Sequence, residues 1–157
     1  GGKISGYGAV FDTADLGGDV IRRGAFADTL AHHRSKGTLP AMLWQHEANR
    51  PIGAWKTMRE DDKGLYVKGR LLPDVAKARE AAALLAAGAI DGLSIGYRVR
   101  RASPEPSTGG RRLTEIELWE VSLVTFPMLP TARASVATGA RPPKAALAGA
   151  LASALAR

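Results

Sequence analysis

A chain of 157 residues with 45% hydrophobic and 24% charged residues can bury one ordinary globular core. It contains no cysteine, which excludes disulfides, a thiol nucleophile and thiolate metal sites, and no apolar run is long enough to cross a bilayer. The formal net charge of +7 admits an acidic partner, either a protein surface or nucleic acid. The excess is uneven: from Arg98 onward nine Arg and Lys stand against four Glu, and no acid follows Glu120. Basic tails more often solubilise than read sequence, so nucleic acid ranks as the secondary partner. No secretory signal is visible, a cytoplasmic setting is compatible, and the Gly1-Gly2 start suggests a trimmed N terminus.

In chain order, residues 3–11 read as a strand whose glycines suit a bent barrel strand. The loop 12–19 carries Asp12, Asp15 and Asp19, but it lacks the alternate ligands and distal glutamate of a calcium loop. Its carboxylates are expected on local backbone amides. Residues 24–35 predict a helix with Phe26 and Leu30 on one face, and the adjacent His32 and His33 on its surface. Residues 40–46 form a short strand on which Met42, Trp44 and His46 share a side, followed by a turn at 47–51. His46 then sits at a rim, as a site histidine or as a half-buried one bonded to a carbonyl. Strands at 51–58 and 64–72 are joined by the turn Asp61–Gly64. A helix begins at Asp74 after Pro73, with Val75, Arg79, Ala82, Leu85 and Ala86 in helical spacing up to Gly88.

An Asp91-Gly92 turn leads into a strand on which Leu93, Ile95, Tyr97 and Val99 face one way and Ser94, Gly96, Arg98 and Arg100 the other. Gly92-Leu-Ser-Ile-Gly96 satisfies the G-x-S-x-G pattern of a serine nucleophile, a weak signal by itself. Chain order sharpens it. All three histidines precede Ser94 and every acid after it in sequence is a glutamate, Glu105, Glu115, Glu117 or Glu120, so an α/β-hydrolase is excluded and a triad must run His, Ser, Glu. Residues 103–110 read as an exposed flexible loop, and 111–125 as a strand. There Glu120 falls in phase with Ile116 and Leu118, pointing its carboxylate at the apolar side, where it needs a partner. A histidine N–H would serve; the alternatives are an Arg or backbone partner, or a bulge that turns Glu120 outward.

Together, Gly6-Tyr-Gly-Ala-Val-Phe11, Gly24-Ala-Phe26, Leu43-Trp-Gln-His46 with Pro51-Ile-Gly53, Asp91-Gly-Leu-Ser-Ile-Gly-Tyr97 and Leu118-Trp-Glu-Val-Ser-Leu-Val-Thr-Phe-Pro127 resemble the prohead proteases of tailed phages and gene transfer agents. Those enzymes are similar to the herpesvirus maturational protease, assemblin. The resemblance implies a mainly β fold with helices (α+β), a single-domain β-barrel wrapped by helices, over residues 1–135, with 136–157 as an Ala-rich basic tail that is helical or flexible. It implies a serine endopeptidase with His46 as base, Ser94 as nucleophile and Glu120 as third member, needing no cofactor or metal. Its substrates would be scaffold or major capsid protein extensions inside the immature capsid, in the host cytoplasm, with homodimerisation and self-cleavage in the tail compatible. The chain departs from assemblin where paired arginines serve the oxyanion hole. Pro127-Met-Leu-Pro130 stands there, leaving a backbone N–H near Met128 or Leu129 as the candidate donor. The rival expectation is a non-catalytic basic barrel that binds scaffold or nucleic acid.

Overall fold

Two-residue alternation governs most of this chain, and in a computed structural model, which describes residues 2–136, it produces one eight-stranded sheet. The strands are β1 (Lys3–Val10), β2 (Val20–Ile21), β3 (Ala41–Trp44), β4 (Glu47–Glu60), β5 (Gly64–Leu71), β6 (Gly92–Pro104), β7 (Arg111–Val124) and β8 (Ala134–Val136). Their order is β2-β7-β3-β4-β5-β1-β8, with β6 paired to β7. Two helices are added, α1 (Ala27–Ser35) and α2 (Ala76–Ala86). The expected mainly β fold with helices therefore forms, but the sheet is not closed into a barrel. Between β6 and β8 there is only an isolated Gly92–Arg133 bridge, flanked by hydrogen bonds from Leu93 N to Ala132 O and from Ala134 N to Asp91 O. The expected tail lies, from residue 137 onward, outside the described residues.

The alternation is clearest in β5, where Leu65, Val67 and Leu71 are buried while Lys68 and Arg70 are exposed. Opposite them the core is filled by Ile4, Met42, Ile52, Leu93, Leu113, Ile116, Leu118, Val121 and Leu123. β4 starts earlier than expected. Glu47–Arg50 belongs to the strand, and the turn is the pair Gln45–His46, because Trp44 pairs directly with Glu47. β6 likewise continues through Ser103 and Pro104, so the loop expected at 103–110 shrinks to a tip. That tip is tied down: Glu105 is buried and accepts from Arg112 Nε at 2.8 Å and Ser107 Oγ at 2.7 Å. In the 12–19 loop Asp15 accepts from the amides of Gly17 and Asp19, as expected, while Asp19 takes Arg111.

α2 buries Ala78, Ala81 and Leu85 rather than the stripe that includes Arg79 and Ala86, both exposed. The small alanines let this helix lie close on the sheet. α1 anchors through Phe26 just ahead of it and Leu30 within it, both in the core. Full burial of such a side chain contributes about 1.5–3 kcal/mol. The helix has no side-chain cap of its own. A distant strand supplies one instead: the Glu60 carboxylate accepts the amides of Gly24 at 3.1 Å and Phe26 at 3.0 Å. These are orphan donors at a helix start, where a negative charge is also favoured by the dipole. Glu60→Ala is expected to lower stability by about 1 kcal/mol, as loss of a cap does, read from denaturant midpoints at unchanged slope. An unchanged midpoint would show that the amides find water equally well.

Candidate active site

The site is built on β7, which has β6 on one side and β3 on the other. Along β6 and β7, Leu93 faces Leu123, Ser94 faces Ser122, Ile95 faces Val121 and Gly96 faces Glu120. The next pair is Tyr97 with Leu118, so Trp119 is an extra residue on β7. Directly opposed residues in an antiparallel pair project to the same face. Leu118, Val121 and Leu123 therefore share the core face, while Glu120 and Ser122 share the other face with Ser94. Of the alternatives left open by the sequence, the bulge is the one that forms. Glu120 is out of phase with Ile116 and Leu118, and the inserted Trp119 is thrown out to solvent.

Gly96 makes room for this arrangement. A Cβ there would lie 2.7 Å from both Cγ and Cδ of Glu120, so the acidic side chain lies across the glycine. The carboxylate is then buried but fully occupied: Glu120 Oε2 accepts His46 Nδ1 at 2.7 Å, and Ser122 Oγ donates to the carboxylate at 3.0–3.1 Å. Ser122 is itself wholly buried, and its oxygen accepts the backbone amide of His46 at 3.0 Å. One hydroxyl thus ties both the base of the histidine and the position of the acid. The sequence reading gave Ser122 no role. The available signal was a serine two residues from the glutamate, on the same face once the bulge is passed.

His46 does not reach the site by strand alternation. The chain leaves β3 at Trp44 and turns through Gln45 and His46 with φ of 51° and 61°, the left-handed region. This is the two-residue hairpin geometry that normally selects Asn and Gly. For other residues the conformation costs about 1–2 kcal/mol each. The turn is held against β7 by Gln45 N to Leu123 O at 2.9 Å, Gln45 Nε2 to Thr125 Oγ1 at 2.7 Å, and Thr125 N to Gln45 Oε1 at 3.2 Å. The result places the imidazole at a rim, its side chain 42% exposed, with Nδ1 on the acid.

An ionised carboxylate only accepts hydrogen bonds, so Nδ1 carries the proton and the neutral ring keeps its lone pair on Nε2. The hydrogen bond to Glu120 raises the His46 pKa above its ordinary 6.5, with the charge of Glu120 adding to the effect and partial burial opposing it. Ser94 is buried, and its hydroxyl forms no hydrogen bond with the described residues. Every wholly enclosed side-chain N or O among them has a partner, so Ser94 Oγ keeps an edge open to solvent. Ser94 also borders a mainly apolar cleft lined by Met128, Leu129 and, from the other face of β6, Ile95 and Tyr97; His46, Glu120 and Ser122 do not line it. Of the three residues expected to act together, His46 and Glu120 are joined directly. Ser94 stands on the same face, across the strand pair from Ser122. Among the described residues no group of His, Asp and Glu could hold a metal ion, and no helix is long and apolar enough to cross a membrane. His32 is exposed, and His33 bonds Thr38 Oγ1 at 3.0 Å and the Leu118 carbonyl at 3.4 Å rather than Glu120 or Ser122.

The fold has relatives. The fold is similar to that of the bacteriophage T4 capsid assembly protease (TM-score 0.61, 12% identity, 78% of this chain and 82% of that one). It is also similar to that of KSHV protease, solved with a hexapeptide phosphonate inhibitor (TM-score 0.51, 15% identity, 84% and 63% of the chains). Residues 1–143 match the caudovirus prohead serine protease family, and the chain belongs to that family. It is 37% identical over 128 residues to the prohead protease of Enterobacteria phage HK97, covering 80% of this chain and 56% of that protein. It is 34% identical over 91 residues to a capsid polyprotein of Pseudomonas phage PAJU2, covering 54% of this chain and 14% of that protein. The chain thus spans little more than half the length of the first relative and a small part of the second.

Because the folded pKa of His46 lies above its unfolded value, the pair's contribution to stability is full below about pH 6.5 and fades as pH rises through the folded pKa. In an NMR titration the His46 ring is expected to titrate above 6.5, and Glu120→Gln should bring it down. Gly96→Ala, which displaces the carboxylate, should move it in the same direction. A His46 titration indifferent to both substitutions would break the pairing.

Proposed function

We propose that this chain is a serine endopeptidase that trims scaffold or capsid-protein extensions within the immature capsid, with Ser94 as nucleophile, His46 as general base and Glu120 as orienting acid. The observation that carries the reading is the 2.7 Å His46–Glu120 hydrogen bond on the sheet face that also bears Ser94, in a chain of the prohead protease family. Action on capsid proteins within the prohead is supported by the names of its relatives.

In this mechanism a peptide carbonyl enters above Ser94. Its Oγ attacks the carbonyl carbon as His46 Nε2 removes the hydroxyl proton, while Nδ1–H stays on Glu120. Glu120 fixes the tautomer and stabilises the imidazolium. Collapse of the tetrahedral intermediate breaks the C–N bond, and the departing amine takes the proton from Nε2. A water molecule then attacks the acyl ester with the same base, releasing the acid and restoring Ser94. The Ser94–His46 contact forms with substrate, since catalytic hydrogen bonds commonly tighten only in the Michaelis complex. The amides of Met128 and Leu129 are the candidate oxyanion donors. Both residues line the cleft with Ser94, and neither amide is taken by a hydrogen bond to a described residue. One such donor contributes about 3 kcal/mol to barrier lowering.

The test is cleavage of the cognate capsid protein, followed by gel. Ser94→Ala should abolish cleavage while circular dichroism and melting stay those of the parent chain. Undiminished cleavage by a folded Ser94→Ala variant would remove Ser94 from the mechanism.

A further inference from the structure

The outer face of β1, β5 and β4 is a separate surface that the peptidase site does not use. Across it Lys3 faces Arg70, Ser5 faces Lys68 and Tyr7 faces Tyr66, while on the β4 side Lys68 faces Thr57 and Tyr66 faces Arg59. Lys56 stands exposed at the irregularity in β4, and Lys63 lies over the Tyr7 ring at 4.7 Å. Six cations therefore share one wall: Lys3, Lys56, Arg59, Lys63, Lys68 and Arg70. None of the six forms a salt bridge among the described residues. The carboxylate at its edge, Asp61, accepts from Tyr7 OH at 2.5 Å and from the amides of Lys63 and Gly64, and it offsets part of the Arg59 charge without forming an ion pair.

Elsewhere among the described residues most cations are matched, the exceptions being Arg34, Lys36, Arg79 and Arg98. Arg22, Arg23, Arg50, Arg100, Arg101, Arg111, Arg112 and Arg133 each face an acid within 4.0 Å. Six of the ten cations without an ion pair among the described residues thus share this wall, where self-repulsion costs stability unless an anion covers it. We propose that the β1–β5–β4 face docks an extended acidic segment of a protein partner, with Asp and Glu at alternate positions.

The geometry suits that occupant. Same-face residues repeat about every 6.6–7 Å along a strand, and so do alternate side chains of an extended peptide. A neighbouring strand lies about 4.8 Å away, so one carboxylate reaches cations on two strands. The aromatic groups argue against single-stranded nucleic acid, which needs free rings for its bases. Both tyrosines are occupied: Arg59 covers Tyr66 at 4.5 Å, Lys63 covers Tyr7, and the two rings meet edge to face at 5.7 Å.

The test is fluorescence anisotropy of the full chain with a fluorescein-labelled peptide of alternating Glu and Ser, which reads binding without catalysis, so its failure leaves the peptidase reading intact. Binding should weaken as salt rises. Lys68→Gln with Arg70→Gln should weaken it about tenfold or more, whereas Arg34→Gln with Lys36→Gln, an equal loss of charge on α1, should change it little. Equal losses in the two double variants would overturn the proposal by reducing it to net charge. So would tighter binding of a single-stranded oligonucleotide of matched charge, which would assign the face to nucleic acid.

Discussion

A single inserted residue in β7 determines what this sheet can do. Without the bulge at Trp119, a regular strand would carry on the alternation of Ile116 and Leu118 and send the Glu120 carboxylate into the apolar core, at a cost of several kcal/mol or with its charge lost. With it, the core face resumes at Val121, and Glu120 emerges on the other face beside Ser122 and across from Gly96. The 2.7 Å hydrogen bond to His46 depends on that shift of phase. A bulge is often treated as a defect of pairing, but here it re-aims the side chain that the proposed chemistry needs.

The histidine reaches the same point by a second irregularity. Gln45 and His46 both adopt left-handed backbone that their side chains disfavour, and the strain is held by bonds to three residues around the end of β7, namely Ser122, Leu123 and Thr125. Ser122 links the two irregularities, accepting from the His46 amide and donating to Glu120. Local strain, buried polar satisfaction and the raised His46 pKa are thus one constraint seen at three levels. The regular part of the sheet serves chiefly to hold β6, β7 and β3 in adjacent positions.

Much of this was legible in the sequence because period-two patterning is a backbone property. The strands β1, β5 and β6, the helix carrying Leu30, and the faces of Ser94 and Ile95 followed from it directly. Chain order alone limited a triad to His, Ser, Glu, and the ordered motifs pointed to the prohead protease family. What was not legible lies where the period breaks. Nothing in Leu118-Trp-Glu announces which residue is extra, so Glu120 was assigned the phase of Leu118. A turn at Gln45–His46 lacks the usual Asn-Gly signal, so the turn was read at 47–51 instead. Closure of the sheet was likewise invisible, since whether β6 meets β8 depends on Gly92, Arg133 and their long-range register. Glu105 was read as part of a mobile loop because its partner, Arg112, is recruited only once the hairpin has formed.

The central claim is that the His46–Glu120 pair makes the Ser94 hydroxyl nucleophilic. The most direct measurement is the rate and position of covalent labelling by a fluorophosphonate, mapped by peptide mass spectrometry. The account predicts one adduct, on Ser94, formed about 10²–10⁴ times more slowly in Glu120→Gln and in His46→Ala. An adduct on another serine, or labelling of Ser94 at an unchanged rate in both variants, would contradict it.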